Sequence, residues 1–454
     1  MLARTHIRGP VLTESDVRSP RAFSAWLTGR THAEGEDDVS TPAVPSTSGR
    51  PSISRRPRNR KALILDAAAR AFAERGYHAV GMEDIAIAVG ISGPALYRHF
   101  PSKYALFADC ARSLASELLD DWPPAPLGVD LDEPAAARAH LDDVLAALIR
   151  TTVRNRRTGG IYRWEGRYLE PGDREEIRAI FAELVARVAA LVRVLRPEMS
   201  ESEVGFTTAG SLSVVASLTA HRTTLPARRL SSLVSAAAIR VAVETPPDVP
   251  TGDGDAAEVS AVGLELAPGR RDQVLAAAVR LFYSVGFSEV TVEAIATDVG
   301  LTPSGFYRHF SSKSDVLLAA CLLASEHLDA TVAAAGVRGA APDVALDRLT
   351  RAYIAHTFAH KELMSVYYSD VASLPSGDQS KLRGLQREHV ALWEHLLVAT
   401  RPGLDPVEAR FLVHAAIGVV TDLGRRVRWR DDPATQERVH GLVLLALGVH
   451  GTVA

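Results

Sequence analysis

The sequence predicts an all-α protein built from two copies of one unit, and three observations support this fold class. The tetrapeptide Tyr97–Phe100 recurs unchanged as Tyr307–Phe310, at an offset of 210 residues. Between Arg60–Lys103 and Arg270–Lys313, 19 of 44 aligned positions are identical without a gap. Elsewhere apolar residues recur at helical spacing, and no segment alternates as a half-buried strand does. A period this long indicates a duplicated domain and not a short solenoid repeat.

Composition places the chain among soluble globular proteins. Its 454 residues are 47% hydrophobic with a net charge of -3, so any basic surface for nucleic acid must be local. Cys110 and Cys321 lie in corresponding apolar helices, and we expect two core residues and no disulfide. We find no signal peptide, no apolar run long enough for a membrane span, and no catalytic or metal-ligand spacing. We therefore expect a cytoplasmic protein that is not an enzyme and needs no cofactor.

The predicted domain order alternates heads of short helices with longer helical domains. An N-terminal segment rich in Ser, Thr, Pro and Gly is expected to be disordered, and a Pro/Gly-rich acidic segment is expected to link the halves. The boundaries are 1–52 for the tail, 53–107 for the first head, 108–244 for the first regulatory domain, 245–268 for the linker, 269–317 for the second head and 318–454 for the second regulatory domain.

The first head is predicted to contain three helices separated by glycines. Gly76 ends the first helix, whose apolar residues recur at helical spacing. The second helix runs from about Met82 to Val89 and ends at Gly90, and Ser92 opens the third.

The second head repeats this pattern. Gly286 ends its first helix, Thr291 caps its second, and Gly300 ends that helix. Thr302 and Pro303 then supply an N-cap and a proline at the first helical position.

The segments after each head are rich in Ala, Leu and Val and are predicted to form amphipathic helices of two bundles. The duplication continues through them with a net loss of five residues, because Arg196–Pro197 corresponds to Arg401–Pro402 at an offset of 205. The predicted bundle helices are 137–150, 175–195, 204–218, 346–358, 381–400 and 406–423.

The second and third head helices, joined by a tight glycine turn, are typical of a helix-turn-helix. The third helix of such a motif enters the major groove, and small leading residues allow a close approach to the base edges. Tyrosine, arginine and lysine side chains beside it can donate to phosphate oxygens. The predicted DNA-contacting residues are Ser92, Gly93, Pro94, Tyr97, Arg98, His99 and Lys103 in the first head, and Thr291, Thr302, Pro303, Ser304, Tyr307, Arg308, His309 and Lys313 in the second.

A basic arm precedes the first head only. It contains Arg50, Arg55, Arg56, Arg58, Arg60 and Lys61, with no acid among them. We expect the arm to follow the DNA backbone or enter the minor groove, with a solvated basic tail as the alternative. The second head follows an acidic linker, so we expect the first head to supply more of the salt-dependent affinity.

The motif residues resemble the DNA-binding head of the tetracycline-repressor (TetR) family. The matching positions are Gly76, Ile85, Ala86, Val89, Gly90, Leu96–Phe100, Ser102 and Lys103 in the first copy, and Gly286, Ile295, Ala296, Val299, Gly300, Phe306–Phe310, Ser312 and Lys313 in the second. The first copy departs at Gly81, where the family usually has the threonine that Thr291 keeps. That loss removes one possible phosphate contact.

The tandem arrangement, together with the run Ile161–Leu169, resembles mycobacterial-type regulators of lipid-import (mammalian-cell-entry) operons. The resemblance implies two consecutive family units in one chain. Because the two heads are covalently joined, we expect the units to pack as an intramolecular pseudo-dimer. It also implies a repressor that binds double-stranded operator DNA and is released by a small apolar, lipid-like effector. The alternatives are a non-specific architectural DNA-binding protein and a ligand-binding scaffold with one inactive head. The residues leave open whether chains pair further into a homodimer.

Aromatic and polar residues of the two bundles are candidates for the effector pocket, because bundles bind ligands between facing helices. Aromatic residues at helical spacing are more often simply core, and that remains the alternative at each position. The candidates are Tyr162, Trp164, Arg167, Tyr353, His356 and Tyr367.

The recognition helices begin differently in the two copies, with Ser92-Gly93-Pro94-Ala95 in one and Thr302-Pro303-Ser304-Gly305 in the other. Different side chains at the groove favour different bases. We therefore expect an asymmetric operator and not the palindrome that a homodimer demands.

Overall fold

Helices account for the regular structure of both halves. The computed structural model describes residues 60–159, 161, 166–246 and 269–449. Within those ranges the chain forms helices and no strands, which confirms the all-α prediction. The expected tail, and nearly all of the expected linker, lie outside the described residues.

The first half contains eight α-helices in its described part. They are α1 (Arg60–Arg75), α2 (Met82–Ala88), α3 (Gly93–Tyr97), α4 (Lys103–Asp120), α5 (Pro134–Arg154), α6 (Pro171–Leu195), α7 (Glu201–Ala216) and α8 (Ala227–Val243). The first three form the head. The predicted head boundary at 107 falls inside α4, so one continuous helix joins the head to the regulatory domain.

The second half contains nine α-helices in its described part. They are α9 (Arg270–Val285), α10 (Val292–Asp298), α11 (Pro303–Phe306), α12 (Lys313–Ala334), α13 (Pro342–Ala359), α14 (Lys361–Asp370), α15 (Ser376–Thr400), α16 (Pro406–Arg426) and α17 (Pro433–Leu447). The boundary predicted at 317 likewise falls inside α12. Helix α14 is followed by a 3-10 turn, Val371–Ser373, which corresponds to the turn Gly166–Tyr168 of the first half at an offset of 205.

The two halves pack together through four helices. Helices α7 and α8 lie against α16 and α17, and one continuous buried core contains residues of both halves. The helices approach closely at Gly418, where an added Cβ would lie 3.2 Å from Ser217 Cβ. Arg240 of α8 also donates from Nε to the carbonyl of Leu445 at the end of α17, over 3.0 Å. This is the expected intramolecular pseudo-dimer.

Two histidines stack across this interface. The rings of His221 and His414 are parallel within 5° and their centroids lie 4.1 Å apart. Burial, reinforced by neighbouring cationic groups, lowers the pKa of His221 to about 2 and that of His414 to about 4. Both rings are therefore neutral in the folded protein near neutral pH.

We expect acid to destabilise the protein below pH 6.5. The unfolded His221 takes up a proton near its ordinary pKa of 6.5, whereas the folded ring stays neutral down to about 2. The unfolded state therefore binds more protons throughout this window, and the free energy of unfolding falls as the pH is lowered. One such histidine contributes a loss of about 2 kcal/mol at pH 5.

Urea denaturation at pH 7.5 and pH 5 of the wild type and His221→Gln measures this effect. The variant should lose less stability between the two pH values. Replacing the exposed His395 by Gln is the control and should leave the acid sensitivity unchanged. Equal sensitivity of His221→Gln and the wild type would contradict the prediction.

Both cysteines are buried and free, as predicted. One helix of the described part, α12, is long and apolar enough by length and composition to cross a membrane, with a mean hydropathy of 1.5. The sequence prediction overlooked this segment. Its buried residues, including Val316, Leu317 and Ala320, pack in the core of the second head. Core helices of water-soluble proteins have the same composition.

Candidate nucleic-acid interface

The recognition helices α3 and α11 are anchored by buried residues four positions apart. Leu96 and Phe100 are 0% and 1% exposed, and Phe306 and Phe310 take their places in the second head. Because these anchors face the core, the residues between them face outward. Tyr97 is 52% exposed and Tyr307 is 55% exposed. Both heads therefore present the tyrosine of the shared tetrapeptide to solvent.

The remaining predicted groove-facing side chains divide into exposed and packed groups. The exposed group is Ser92, Pro94, Arg98 and His99 in the first head and Thr302, Pro303, Ser304 and Arg308 in the second, with His309 half-buried. Gly93 departs from the prediction because it is buried. A Cβ added there would lie 2.6 Å from Glu83 Oε2, the end of an exposed side chain that can move aside.

A capping box has two hydrogen bonds at the start of a helix, and each head keeps a different one of them at its second helix. In the second head Thr291 accepts a hydrogen bond from the backbone N–H of Ala294 over 3.1 Å. In the first head Gly81 has no hydroxyl, and its own N–H donates to the Asp84 carboxylate over 2.9 Å. The departure at Gly81 is thus compensated by the acid three residues later.

Lys103 and Lys313 have internal partners, which differs from the phosphate contact we expected. Lys313 Nζ donates to the carbonyls of Phe287 (2.6 Å), Ser288 (3.4 Å) and Val290 (2.7 Å). Its ammonium has three hydrogens, and these three acceptors occupy them. Lys103 Nζ donates to the carbonyls of Tyr77 and His78. Each lysine therefore fastens the loop after the first head helix to the start of the fourth.

The described residues include only the last two residues of the basic arm. Arg55, Arg56 and Arg58 lie outside the described residues. Arg60 is half-buried, and Lys61 forms an ion pair with Asp109 over 3.2 Å. That surface pair gives one of the six arm charges an intramolecular partner.

Helix α4, which follows the first head, is tied to the regulatory domain, and the first head also contacts the second head. Arg112 of α4 bridges to Asp173 (2.6 Å) and Glu176 (2.9 Å) of α6. His78 Nδ1 lies 3.4 Å from a carboxylate oxygen of Glu289 in the second head. The heads therefore contact each other directly as well as through the shared core.

The structure describes the side chains of three of the six predicted effector residues. Tyr162 and Trp164 lie outside the described residues, as does the side chain of Arg167. Tyr353 and His356 are 1% and 0% exposed inside the second regulatory domain. Tyr367 is half-buried and packs against the core of the second head instead.

A hydrogen bond joins these two regions of the second half. The hydroxyls of Tyr353 and Tyr368 lie 2.6 Å apart, and Tyr368 packs against the core of the second head. No group of three or more His, Cys, Asp or Glu residues in the described part could hold a metal ion.

One family model matches the chain twice. The model described as "Bacterial regulatory proteins, tetR family" covers residues 64–110 and 274–320, which run from α1 into α4 and from α9 into α12. These two segments thus share one family description.

Among curated proteins, the chain is similar to the HTH-type transcriptional activator FasR of Mycolicibacterium smegmatis. It is 49% identical over 55 residues, which are 12% of this chain and 25% of that protein. It is also similar to the HTH-type transcriptional repressor KstR2 of Rhodococcus jostii, at 40% identity over 63 residues, 14% of this chain and 31% of that protein. The chain spans about a quarter to a third of the length of these curated relatives.

Among solved structures, the ketosteroid transcriptional regulator KstR2 of Mycobacterium tuberculosis aligns at 23% identity with a TM-score of 0.35. The alignment covers 42% of this chain and 97% of that chain.

Proposed function

We propose that this chain, which carries two TetR-family N-terminal domains, is a transcriptional regulator that holds one stretch of operator DNA with both heads. The observation that carries the proposal is the exposure of Tyr97 and Tyr307 on matching helices whose anchors are buried. Side chains that a fold exposes on a short helix beside arginines are suited to phosphate contacts. Both heads keep this arrangement, so the proposal gives both a role.

The proposed operator is asymmetric. The leading residues of α3 and α11 differ, and a covalent pair of unlike heads imposes no palindrome. The buried core shared by the two halves favours a fixed head spacing, to which the surface contact between His78 and Glu289 adds little. A fixed spacing restricts the operator to one separation between its two half-sites.

The proposed control is release by a small apolar effector, which makes the protein a cytoplasmic repressor. Release requires the effector to bind the DNA-incompetent state more tightly than the competent one. The related proteins include one described as an activator and one described as a repressor. That the protein represses transcription, and does not activate it, is therefore part of the proposal.

Selection of bound fragments from a random duplex library at physiological salt tests this function. We expect one enriched motif with two unlike halves at a constant separation. Enrichment of no sequence would instead indicate the architectural DNA-binding alternative. A motif with one half only would indicate a scaffold with one inactive head, and two identical inverted halves would contradict the asymmetric operator.

We expect the basic arm to steepen the salt dependence of DNA binding. Each phosphate contact contributes about 0.9 to the slope of log affinity against log salt. Replacing Arg55, Arg56 and Arg58 together by Ala should therefore reduce the slope by about 1 to 3. Fluorescence anisotropy between 50 and 200 mM salt, about the range over which such contacts are resolved, measures it. The control is Arg70→Gln on the exposed face of α1, and an unchanged slope in the arm variant would refute the prediction.

A further inference from the structure

Arg156 is a half-buried arginine that has no acidic partner in the described part of the chain. It lies just beyond the end of α5, where the two halves meet. Burial, followed by the charge of Arg222, lowers the pKa of Arg156, and no acidic group acts in the opposite direction. Charges that lose part of their water are usually paired in native proteins. An unpaired charge at this position makes Arg156 a candidate for binding an anion.

Three contacts fix the guanidinium group of Arg156. Its Nε donates to the carbonyl of Leu218 over 2.7 Å, and its Nη2 donates to His221 Nδ1 over 3.1 Å. The group also lies 5.6 Å from the ring centroid of Phe411 in the second half. A guanidinium group has five N–H donors, and those on Nη1 have no acceptor among the described residues. Because the group is already held in place, a ligand loses less entropy on binding to it.

Arg222 brings a second positive charge to the same place. Its Nη1 donates to the backbone carbonyl of Arg156 over 3.2 Å, and its side chain is exposed. We call Arg156 and Arg222 the arginine pair. Neither member forms an ion pair within the described ranges. Like charges at short range repel each other, and an anion beside both would relieve this repulsion.

Neighbouring arginines do have acidic partners. Arg154, two residues before the arginine pair begins, forms an ion pair with Asp121. Arg410 on α16 forms one with Glu394 over 2.9 Å. The acids of this region are therefore committed to other side chains, and none neutralises the arginine pair.

The second half does not repeat the arginine pair. Helices α5 and α13 end, and helices α7 and α16 begin, 205 residues apart. At this offset Lys361 corresponds to Arg156 and Val427 to Arg222, while Arg426 corresponds to His221. The other end of the interface therefore lacks two adjacent guanidinium groups at these positions. We expect one site of this kind per chain.

We propose that the arginine pair binds one phosphate group, either free or carried by a small molecule, at the surface where α5, α16 and the segment after α7 meet. The proposal goes beyond the regulator function proposed above. A phosphate monoester carries about -1.5 to -2 charges at pH 7, which two guanidinium groups can balance. Guanidinium groups also bind phosphate oxygens through paired N–H donors. Because Arg222 is exposed and Arg156 is half-buried, the phosphate can bind from solvent without an enclosed cavity.

The alternative is that both arginines serve only as helix caps. Leu218 lies in the 3-10 turn after α7, and Arg156 follows the end of α5, so both accepting carbonyls lie near helix ends. Cations are favourable at such ends. Capping gives no reason for phosphate to bind, however, and the two explanations predict different responses to this anion.

The site joins three parts of the molecule. Phe411 belongs to α16 of the second half, and Ile161, five residues after Arg156, packs in the core of the first head. A phosphate bound to the arginine pair would add contacts where these parts meet. Because the unfolded chain does not hold the two arginines together, binding should stabilise the folded state.

Calorimetry and thermal unfolding of the full chain without DNA test the site. Sodium phosphate near neutral pH should show one saturable site per chain and should raise the melting temperature. Sodium chloride at the same ionic strength should not raise it. An equal rise in chloride, two saturable sites, or no binding of phosphate would overturn the proposal.

Octyl phosphate and octan-1-ol distinguish the two sources of the phosphate group. Binding of octyl phosphate about tenfold or more tightly than inorganic phosphate would assign the site to the headgroup of an amphipathic molecule. Equal affinities would assign it to the phosphate group alone. Octan-1-ol lacks the charge and should displace neither ligand. Displacement of octyl phosphate by octan-1-ol would overturn the proposal.

Two variants copy the second half. Arg222→Val and Arg156→Lys should each weaken phosphate binding about tenfold, because each removes charge-assisted hydrogen bonds. Arg156→Lys keeps the charge and loses only the planar fork of donors. The control is Arg387→Gln on the exposed surface of α15, which should leave phosphate affinity unchanged.

The melting temperature in chloride separates binding from capping. Arg222→Val should melt at the wild-type temperature or above it, because the variant removes the repulsion within the arginine pair. A lower melting temperature together with unchanged phosphate affinity would show that Arg222 is only a cap and would overturn the proposal. These titrations contain no DNA, so their outcome does not depend on the operator selection. Failure of either proposal would leave the other standing.

Discussion

Replacing both Tyr97 and Tyr307 by Phe should weaken operator binding by roughly a hundred- to ten-thousandfold. Each substitution removes only the exposed hydroxyl, and a hydrogen bond to a charged phosphate contributes about 1.5–3 kcal/mol. A single variant should therefore lose about ten- to hundredfold. Because the two tyrosines lie on different heads, their effects should add as free energies when both heads hold the same DNA. Anisotropy titrations of the selected operator measure all three variants.

The same set of variants separates the rival functions. A scaffold with one inactive head predicts that one single variant is silent and that the double variant equals the other single variant. An architectural binder predicts equal losses on unrelated duplexes. Tyr283→Phe is the control, because Tyr283 is exposed on α9 of the second head but lies off the recognition helix. Sub-additive losses in the double variant would mean that the heads do not bind together.

Gly418→Leu should strongly destabilise the interface between the two halves. A Cβ at this position already lies 3.2 Å from Ser217 Cβ and 3.5 Å from the backbone oxygen of Ser213. The remaining leucine atoms have no space unless α16 moves away from α7. Overpacking of this kind costs about 1–3 kcal/mol and occasionally more. We expect the upper end, because backbone atoms line one side.

Thermal and urea unfolding measure this loss. The control is Gly384→Leu on α15, where an added Cβ meets no atom within 4 Å. There the exchange removes a flexible residue from a helix and should stabilise by about 0.5–1 kcal/mol. Equal effects at the two glycines would show that α7 and α16 are not closely packed.

The sequence predicted the heads well because their signals are local. Glycines at Gly76, Gly90 and Gly300 adopt positive φ at helix ends, as their spacing indicated. The internal duplication doubled each observation, so a weak signal in one copy was supported by the other. The same reasoning located six of the bundle helices through their apolar periodicity.

The remaining structure depends on contacts distant in sequence. Helices α8 and α17 pack against each other across the two halves, and nothing in either segment alone indicates its partner. The role of Lys313 also could not be predicted, because its three acceptors lie more than twenty residues away. Gly93 was assigned to the groove on its small size, whereas the fold of the head buries it.

The sequence already shows that the residues inside the two regulatory domains differ, but none of the predictions was based on this difference. The rings at Tyr353, His389 and Trp393 stand opposite aliphatic residues in the other copy. Comparing the copies for difference, as well as for identity, separates the packing residues from the candidates for ligand contact.

The buried core shared by α7, α8, α16 and α17 keeps the two halves paired at any protein concentration. A regulator assembled from separate subunits falls apart when its concentration drops below its dissociation constant. Here the corresponding surfaces belong to one polypeptide, so a cell with only a few molecules still has every molecule paired. The joined surfaces also cannot exchange with those of a related protein, which leaves each head free to diverge without mixed assemblies.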